Sequence, residues 1–497
     1  MNWKKLQNGS DIRGIAIEGV EGEDVNLTPE VVKTLAQSFV KWLREETGTI
    51  NPTIAVGTDS RISGPVLKAS LIEGFIDSGA KVFDCGIAST PAMFMATVDK
   101  DRPTTAGIMV TASHLPFNRN GLKFFTKKGG LDKKDISAIL AIAESGEFES
   151  AEAKGSVDKY DFMDAYASML VDYIRRGAAL PDYNRPLGGM KIVVDAGNGA
   201  GGFFATKVLE RLGADISGSQ FLEPDGMFPN HVPNPEDKKA MQSVCEAVKR
   251  NGAQLGIIFD TDVDRSAIVD ENGEPINRNS LIALISAIIL KEHPGSTVVT
   301  DSITSVGLAD FIKEHGGVHH RFKRGYKNVI NESLRLNGEG IESWLAIETS
   351  GHAALKENYF LDDGAFLIAK LLVEAARLNV KGKTLSSLIS TLQKPAESKE
   401  IRFSIACEDF AEYGKTVLAE LPQLIAGIGD WEIVVPNHEG IRISCNGAKE
   451  KGWFLLRMSL HDPVMPLNIE SGVDGGVSEI EQRLMGILRR YDKLKAS

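Results

Sequence analysis

A serine in a short turn and a run of alternating carboxylates carry the chemistry readable in this chain. The serine lies in Val110-Thr111-Ala112-Ser113-His114-Leu115-Pro116, with Asn120-Gly121-Leu122-Lys123 close behind. Phe259-Asp260-Thr261-Asp262-Val263-Asp264-Arg265 sets three carboxylates at alternating positions before a cation. In an extended strand that spacing puts all three on one face. In a turn after a strand it lets three oxygens converge on one hard cation. Mg²⁺ wants octahedral oxygen ligation and usually takes part of it from a substrate phosphate. The bland alternative is a solvated acidic loop or a weak calcium loop, but an EF-hand needs a glycine and a distant glutamate that Ser266 and its apolar followers do not supply. Ser113 is a nucleophile or phosphate carrier only where a base or a metal supports it; otherwise it is a turn residue. Lys123 and His114 are the local groups for proton transfer, and His114 serves equally well as a side chain that orients the loop. Together the two segments point to phosphoryl transfer.

A third segment, Glu348-Thr349-Ser350-Gly351-His352, follows the apolar run Trp344-Leu345-Ala346-Ile347. Glu348 and Ser350 alternate, so a carboxylate and a hydroxyl can face one ligand, a pair suited to vicinal sugar hydroxyls. Read alone, the segment is a strand-to-turn junction.

These residues need elements to hold them. Strand-like runs at 53–57, 81–86, 191–195, 254–260 and 296–301 alternate with helix-like stretches, among them 65–78, with Pro65 suited to a first helical position, and 306–315. Such alternation implies parallel sheets covered by helices on both faces. Three successive α/β units near 1–155, 156–273 and 274–390 are expected. Beyond Lys394 short strands at 398–403, 432–435, 440–444 and 452–459, with helices at 408–421 and 478–494, read as a smaller α+β domain over 391–497. The acidic triad would then sit at the carboxyl end of a parallel strand, where open α/β sheets bind ligands.

Bulk properties exclude several classes. The 497 residues imply several domains, and 42% apolar with 25% charged residues is ordinary globular composition. A net charge of −11 argues against a general nucleic-acid or membrane surface, so an anionic substrate must meet local cations. Cys85, Cys245, Cys407 and Cys445 form no Cys-x-x-Cys pair, which disfavours a disulfide or zinc framework and fits a reducing compartment. Residues 1–7 contain no apolar core segment of a signal peptide, and the longest apolar run, Leu281 to Leu290, is too short to span a bilayer. A cytoplasmic protein is expected.

The segments resemble, in order and over nearly the whole chain, the α-D-phosphohexomutases, which include phosphomannomutase/phosphoglucomutase and phosphoglucosamine mutase. Ser10-Asp11-Ile12-Arg13-Gly14 resembles the family's opening Asp-Ile-Arg-Gly, and Gly57-Thr58-Asp59-Ser60-Arg61 its Gly-Arg-Asp-x-Arg. Thr111 to Pro116 resembles the phosphoserine loop, with Leu115 in place of Asn. Asp225-Gly226 through Pro233-Asn234-Pro235-Glu236 resembles another family segment. Asp260 to Arg265 resembles Asp-Gly-Asp-Gly-Asp-Arg, with Thr261 and Val263 replacing both glycines, and Glu348 to His352 resembles the sugar-binding loop, with Ile347 replacing its glycine. The resemblance implies three α/β domains with parallel or mixed sheets and a smaller fourth domain around a central cleft. It implies transfer of phosphate between O1 and O6 of an aldohexose phosphate, through phosphorylated Ser113 and a hexose 1,6-bisphosphate that reorients. Mg²⁺ would sit on Asp260, Asp262, Asp264 and the phosphate on Ser113. Arg265 and Arg13 would bind the transferring phosphate, and Lys123 would act in proton transfer. Gly325, Tyr326, Glu348, Ser350 and His352 would bind substrate. The expected partner is a small sugar phosphate, with no nucleic acid and no membrane, for a monomer or dimer.

The fourth domain departs from the family, which reads Arg-x-Ser-Gly/Asn-Thr-Glu-Pro in its phosphate loop. This chain reads Arg457-Met458-Ser459-Leu460-His461-Asp462-Pro463. An anion nest favours small residues, so the loop is expected to be reshaped. Either His461 joins Arg457 and Ser459 on the phosphate, or the site is weak. Glucose or mannose phosphate is the expected substrate. The other readings are a phosphoglucosamine mutase, a low-activity regulatory homologue with the altered loop, and a metal-dependent phosphatase.

Overall fold

The alternation of apolar runs with amphipathic helices closes into four sheets in the computed structural model, which describes residues 2–148, 151–459 and 462–496. In the first sheet Ala106–Val110, Thr53–Thr58, Lys81–Ile87 and Ser156–Lys159 run parallel. Arg119–Thr126 and Asp11–Ile15 extend that sheet antiparallel at its other side. This register sets Arg13 opposite Gly121 and Met109 opposite Lys123, so the strands bearing Arg13 and Lys123 are neighbours. Helices Pro29–Thr47, Gly64–Asp77 and Lys133–Ser145 pack a core around Phe39, Phe75 and Phe124. Helix Thr90–Val98 is buried along all but its last residue.

In the second sheet Leu255–Phe259 is parallel to Ile192–Asp195 and antiparallel to Ser266–Val269. The acidic loop is therefore a hairpin connection at the carboxyl end of a buried strand. The third sheet pairs Thr297–Thr300 in parallel with Val318–Arg321 and Ser343–Ile347. The fourth is antiparallel, six strands with helices Phe410–Ile425 and Gly476–Leu488. Three α/β layers and a β-rich fourth match the fold class read from the sequence.

Two elements near the end differ from expectation. The helix expected to stop at Leu421 continues through Pro422 to Ile425. Proline deletes one N–H bond, but Val417, Leu421 and Ile425 share one buried face, and burial of Ile425 keeps the last turn. The final helix ends at Leu488, and Leu494–Ala496 becomes an edge strand on Phe403–Ile405.

The chain divides into two compact units, one built from residues up to Asn277 with Ser350–Ser387, the other from Arg278–Thr349 with the residues from Leu388 onward.

Candidate active site

Within the first unit the acidic loop is buried from Asp260 to Arg265. The ligand oxygens of Asp260, Asp262 and Asp264 lie within 4.8 Å of one another. Other elements hold the loop. Thr90, at the start of helix Thr90–Val98, donates its hydroxyl to Asp262 Oδ2 at 2.5 Å and its amide to Asp262 O at 2.8 Å. Gly364, at the start of helix Gly364–Asn379, donates its amide to Val263 O at 3.1 Å. Arg265 closes the loop on itself through Asp260, Nε to Oδ2 at 3.0 Å, and takes Asn234 Oδ1 at 3.2 Å.

Ser113 enters this cluster. Its backbone is left-handed, φ +54°. Its hydroxyl donates to Asp260 Oδ2 at 3.2 Å and accepts from Arg265 Nη2 at 3.0 Å. His114 Nδ1 lies 2.6 Å from the same Arg265 nitrogen, and arginine can only donate, so His114 accepts. Burial, reinforced by Arg265, pushes His114 down to about 2, so it is neutral. Lys123 Nζ bridges Asp262 Oδ2 at 2.9 Å and Asp264 Oδ2 at 2.5 Å. Arg13 pairs with Asp11 at 2.9 Å.

Burial and neighbouring charges drive Asp260 and Asp264 in opposite directions. Burial, with Asp264 adding to it, raises Asp260 well above the carboxylate range although Arg265 opposes. In Asp264 burial is outweighed by Lys123, His352 and Arg265, which leave it below that range. For Lys123 burial is outweighed by Asp262 and Asp264, so its ammonium is held well above its ordinary pKa. Asp262 Oδ1 and Asp264 Oδ1 are buried and accept no hydrogen bond among the described residues. Convergent, dry carboxylate oxygens without donors fit a hard dication.

His352 also joins this unit. It forms an ion pair with Asp362 and lies 3.9 Å from Asp264 Oδ1. Burial works against its charge, but Asp362 and Asp264 raise it to about 9. Ser350 is buried here, its hydroxyl without a hydrogen bond among the described residues.

The remaining expected residues belong to the second unit. Glu348 accepts from the Gly325 amide at 2.6 Å, and Tyr326 begins the helix Tyr326–Gly338. Thr349 donates its hydroxyl to Asp301 at 2.7 Å. Arg457 is buried, its Nη1 3.9 Å from Glu439, its Nε without a hydrogen bond among the described residues. Ser459 Oγ accepts from the Asp462 amide at 3.3 Å. His461 lies outside the described residues.

Sequence reading missed Thr90, Asp362 and the bracing role of Asn234. Ser89-Thr90-Pro91 was legible as a helix start, but nothing local announced a partner 172 residues away. Asp362 had no motif around it.

This geometry belongs to a known class. The alpha/beta/alpha domains I, II and III of phosphoglucomutase/phosphomannomutase match residues 4–150, 168–273 and 277–395. The chain therefore belongs to the phosphoglucomutase/phosphomannomutase family, the α-D-phosphohexomutases, which are isomerases acting by phosphotransfer. It is 30% identical over 479 residues to the phosphoglucomutase of Neisseria meningitidis serogroup A, covering 96% of each. It is 30% identical over 458 residues to the phosphomannomutase/phosphoglucomutase of Pseudomonas putida, covering 91% of each. A crystal structure of a phosphoglucomutase/phosphomannomutase family protein from Burkholderia thailandensis superposes with a TM-score of 0.79 at 27% identity over 98% of both chains. Among the described residues no helix is long and apolar enough to cross a membrane.

Proposed function

We propose that this enzyme moves phosphate reversibly between O1 and O6 of a hexose phosphate, glucose or mannose phosphate, through phosphorylated Ser113. The observation that carries the reading is Ser113 Oγ, within hydrogen-bond reach of both Asp260 and Arg265, beside a triad of buried carboxylates. The P–O bond to Ser113 breaks as one forms to a sugar hydroxyl. The resulting hexose 1,6-bisphosphate reorients and returns its other phosphate to Ser113 Oγ. Phosphoryl transfer needs positioning and charge neutralisation more than covalent chemistry. Arg265 and Arg13 bind the transferring phosphate. Lys123, held protonated by its two aspartates, supplies a proton to Ser113 Oγ as the P–O bond breaks and is reprotonated by the proton that the attacking sugar hydroxyl gives up. Neutral His114 fixes Arg265 as an acceptor, which fits the orienting role better than proton transfer. Asp260, Asp262, Asp264 and phosphorylated Ser113 would hold Mg²⁺, which when bound neutralises charge on the transferring group. Glu348, Ser350, His352, Gly325 and Tyr326 bind the sugar, and Arg457 with Ser459 takes its other phosphate. A division into domains at 1–155, 156–273, 274–390 and 391–497 and a cytoplasmic setting belong to the same reading.

The test is turnover of glucose 1-phosphate, mannose 1-phosphate and glucosamine 1-phosphate, with glucose 1,6-bisphosphate and Mg²⁺. Formation of glucose or mannose 6-phosphate, abolished in Ser113→Ala and by EDTA and restored by Mg²⁺, is expected. Turnover of glucosamine 1-phosphate alone moves the substrate class, and release of free phosphate makes the protein a phosphatase. Near wild-type turnover by Ser113→Ala removes the phosphoserine.

A further inference from the structure

We infer that Arg61 is the positioning residue of the Ser113 loop: its guanidinium holds the loop by four backbone carbonyls and keeps Ser113 in its left-handed backbone. The inference rests on the reading of Ser113 as phosphate carrier.

Arg61 is 1% exposed, the largest fully buried side chain among the described residues. Its Nη1 donates to Pro116 O at 2.7 Å and to Arg119 O at 3.0 Å. Its Nη2 donates to Leu115 O at 2.6 Å and to Ser113 O. Nε lies 3.3 Å from Asp59 Oδ2. A guanidinium has five N–H groups in a fixed plane; here Nη1 and Nη2 face the four loop carbonyls, while Nε, 3.3 Å from Asp59 Oδ2, makes no hydrogen bond among the described residues. The side chain is wholly buried, so no N–H opens onto a substrate phosphate and Arg61 acts through the loop.

The other half of the grip reaches the Ser113 amide. Thr111 Oγ1 accepts from Ser113 N at 2.9 Å and donates to Asp59 Oδ2 at 2.6 Å. Asp59 also accepts the Arg61 amide at 3.0 Å. Ser113 is thus held by its N–H through Thr111 and by its C=O through Arg61, with Asp59 joining the two. A left-handed backbone is strained for a non-glycine residue, and such strain persists only where the surroundings over-determine it. Fixing both peptide groups of Ser113 over-determines it. The consequence is a hydroxyl aimed at Asp260 and Arg265 without the loop having to search for that pose. A buried cation facing carbonyls also explains why lysine is a poor substitute: a point charge cannot span four acceptors in one plane.

Arg61→Lys and Arg61→Met test this, with Asp59→Asn as a milder change that retains Arg61 should the first two not fold. Hydrogen exchange across residues 111–119 is expected to accelerate at least tenfold, with the rest of the chain unchanged. For glucose 1-phosphate, kcat is expected to fall about 100-fold, as a 1 Å misplacement produces, while KM and Mn²⁺ binding measured by EPR stay within about threefold, since no substrate or metal contact is removed. Unchanged exchange in the loop, or kcat within twofold of wild type, overturns the inference. A rise in KM with kcat unchanged also overturns it, because Arg61 would then be binding substrate. Wild-type protein inactive on every hexose phosphate would sink the mutase reading alone, since the exchange measurement still decides whether Arg61 holds the loop.

Discussion

Val263 carries a φ of +67° while fully buried in the middle of the acidic loop. A β-branched residue there is strained by roughly 1–2 kcal/mol, and the residue it replaces in the family motif is glycine. The side chain compensates by burial, worth about 1.5–3 kcal/mol for a valine. Two truncations therefore separate the effects. Val263→Ala loses the burial and keeps the strain. Val263→Gly loses the burial and relieves the strain. At an ordinary position glycine is the less stable of the two by about 1 kcal/mol. Here Val263→Gly is expected to be more stable than Val263→Ala by about that amount, read from urea unfolding of the two variants. Alanine equal to or better than glycine would mean the loop relaxes to a right-handed backbone and stores no strain. The loop's glycine-free sequence thus keeps the turn geometry by packing.

Helix starts and short loops position the site, so their contacts should be visible in metal affinity and in pH dependence. Thr90 opens a buried helix and gives its hydroxyl to Asp262. Thr90→Val keeps the shape and removes that donor. Partners behind a ligand typically control 10–100-fold in metal affinity, so Mn²⁺ binding measured by EPR is expected to weaken about tenfold; unchanged affinity would make Thr90 a mere helix start. The segment from Asp225 to Glu236 delivers Asn234 to Arg265 and is braced by His231, whose Nε2 meets Asp195 Oδ1 at 3.0 Å. Burial disfavours the imidazolium, but Asp195, with Val232 O and Asp237, raises its pKa above the ordinary value. A raised histidine stabilises the fold fully below about pH 6.5 and loses that contribution as pH climbs through the folded pKa. The stability difference between wild type and His231→Asn should therefore shrink as pH rises above neutrality, and a difference independent of pH would show that the pair is not ionic. These contacts mark the limit of what the sequence could tell. Asp260, Asp262 and Asp264 were legible because their spacing is local, and Ser113 and Lys123 because they bracket one hairpin. Thr90, Asp362 and the grip of Arg61 were not: Arg61 reaches its loop through the parallel pairing of Thr53–Thr58 with Ala106–Val110, Thr90 reaches an aspartate that follows a strand of another sheet, and Asp362 meets His352 beside an antiparallel bridge from Ala354 that no local motif announces. The overrun of Pro422 was hidden for a related reason: propensity stopped the helix, and tertiary burial of Ile425 carried it on.

Over the whole molecule, the residues of the proposed site divide between two compact units, and binding of an anion must work against the net field. A chain of net charge −11 repels a dianionic sugar phosphate at long range, so affinity has to come from buried cations close at hand. In the first unit Lys123 and Arg265 pair with the acidic triad, and Arg13 sits on the strand next to that of Lys123. In the second unit Arg457 is the clearest case. It is 7% exposed, burial pulls its pKa down, and among the described residues Glu439 answers it only from 3.9 Å. The other oxygen of Glu439, Oε2, is held by the Ser302 hydroxyl and the Arg324 amide. A buried guanidinium so weakly engaged is poised for a bidentate phosphate. Arg457→Ala is expected to raise KM for the hexose phosphate at least tenfold, because each 1.4 kcal/mol of lost charge-assisted bonding is one decade. The acidic triad lies in the other unit, so Mn²⁺ binding and phosphorylation of Ser113 by glucose 1,6-bisphosphate at saturating concentration should stay as in wild type. Unchanged KM in Arg457→Ala would show that the altered loop has given up phosphate binding, and weakened Mn²⁺ binding would show that the arginine acts through the fold of the site and not on the substrate.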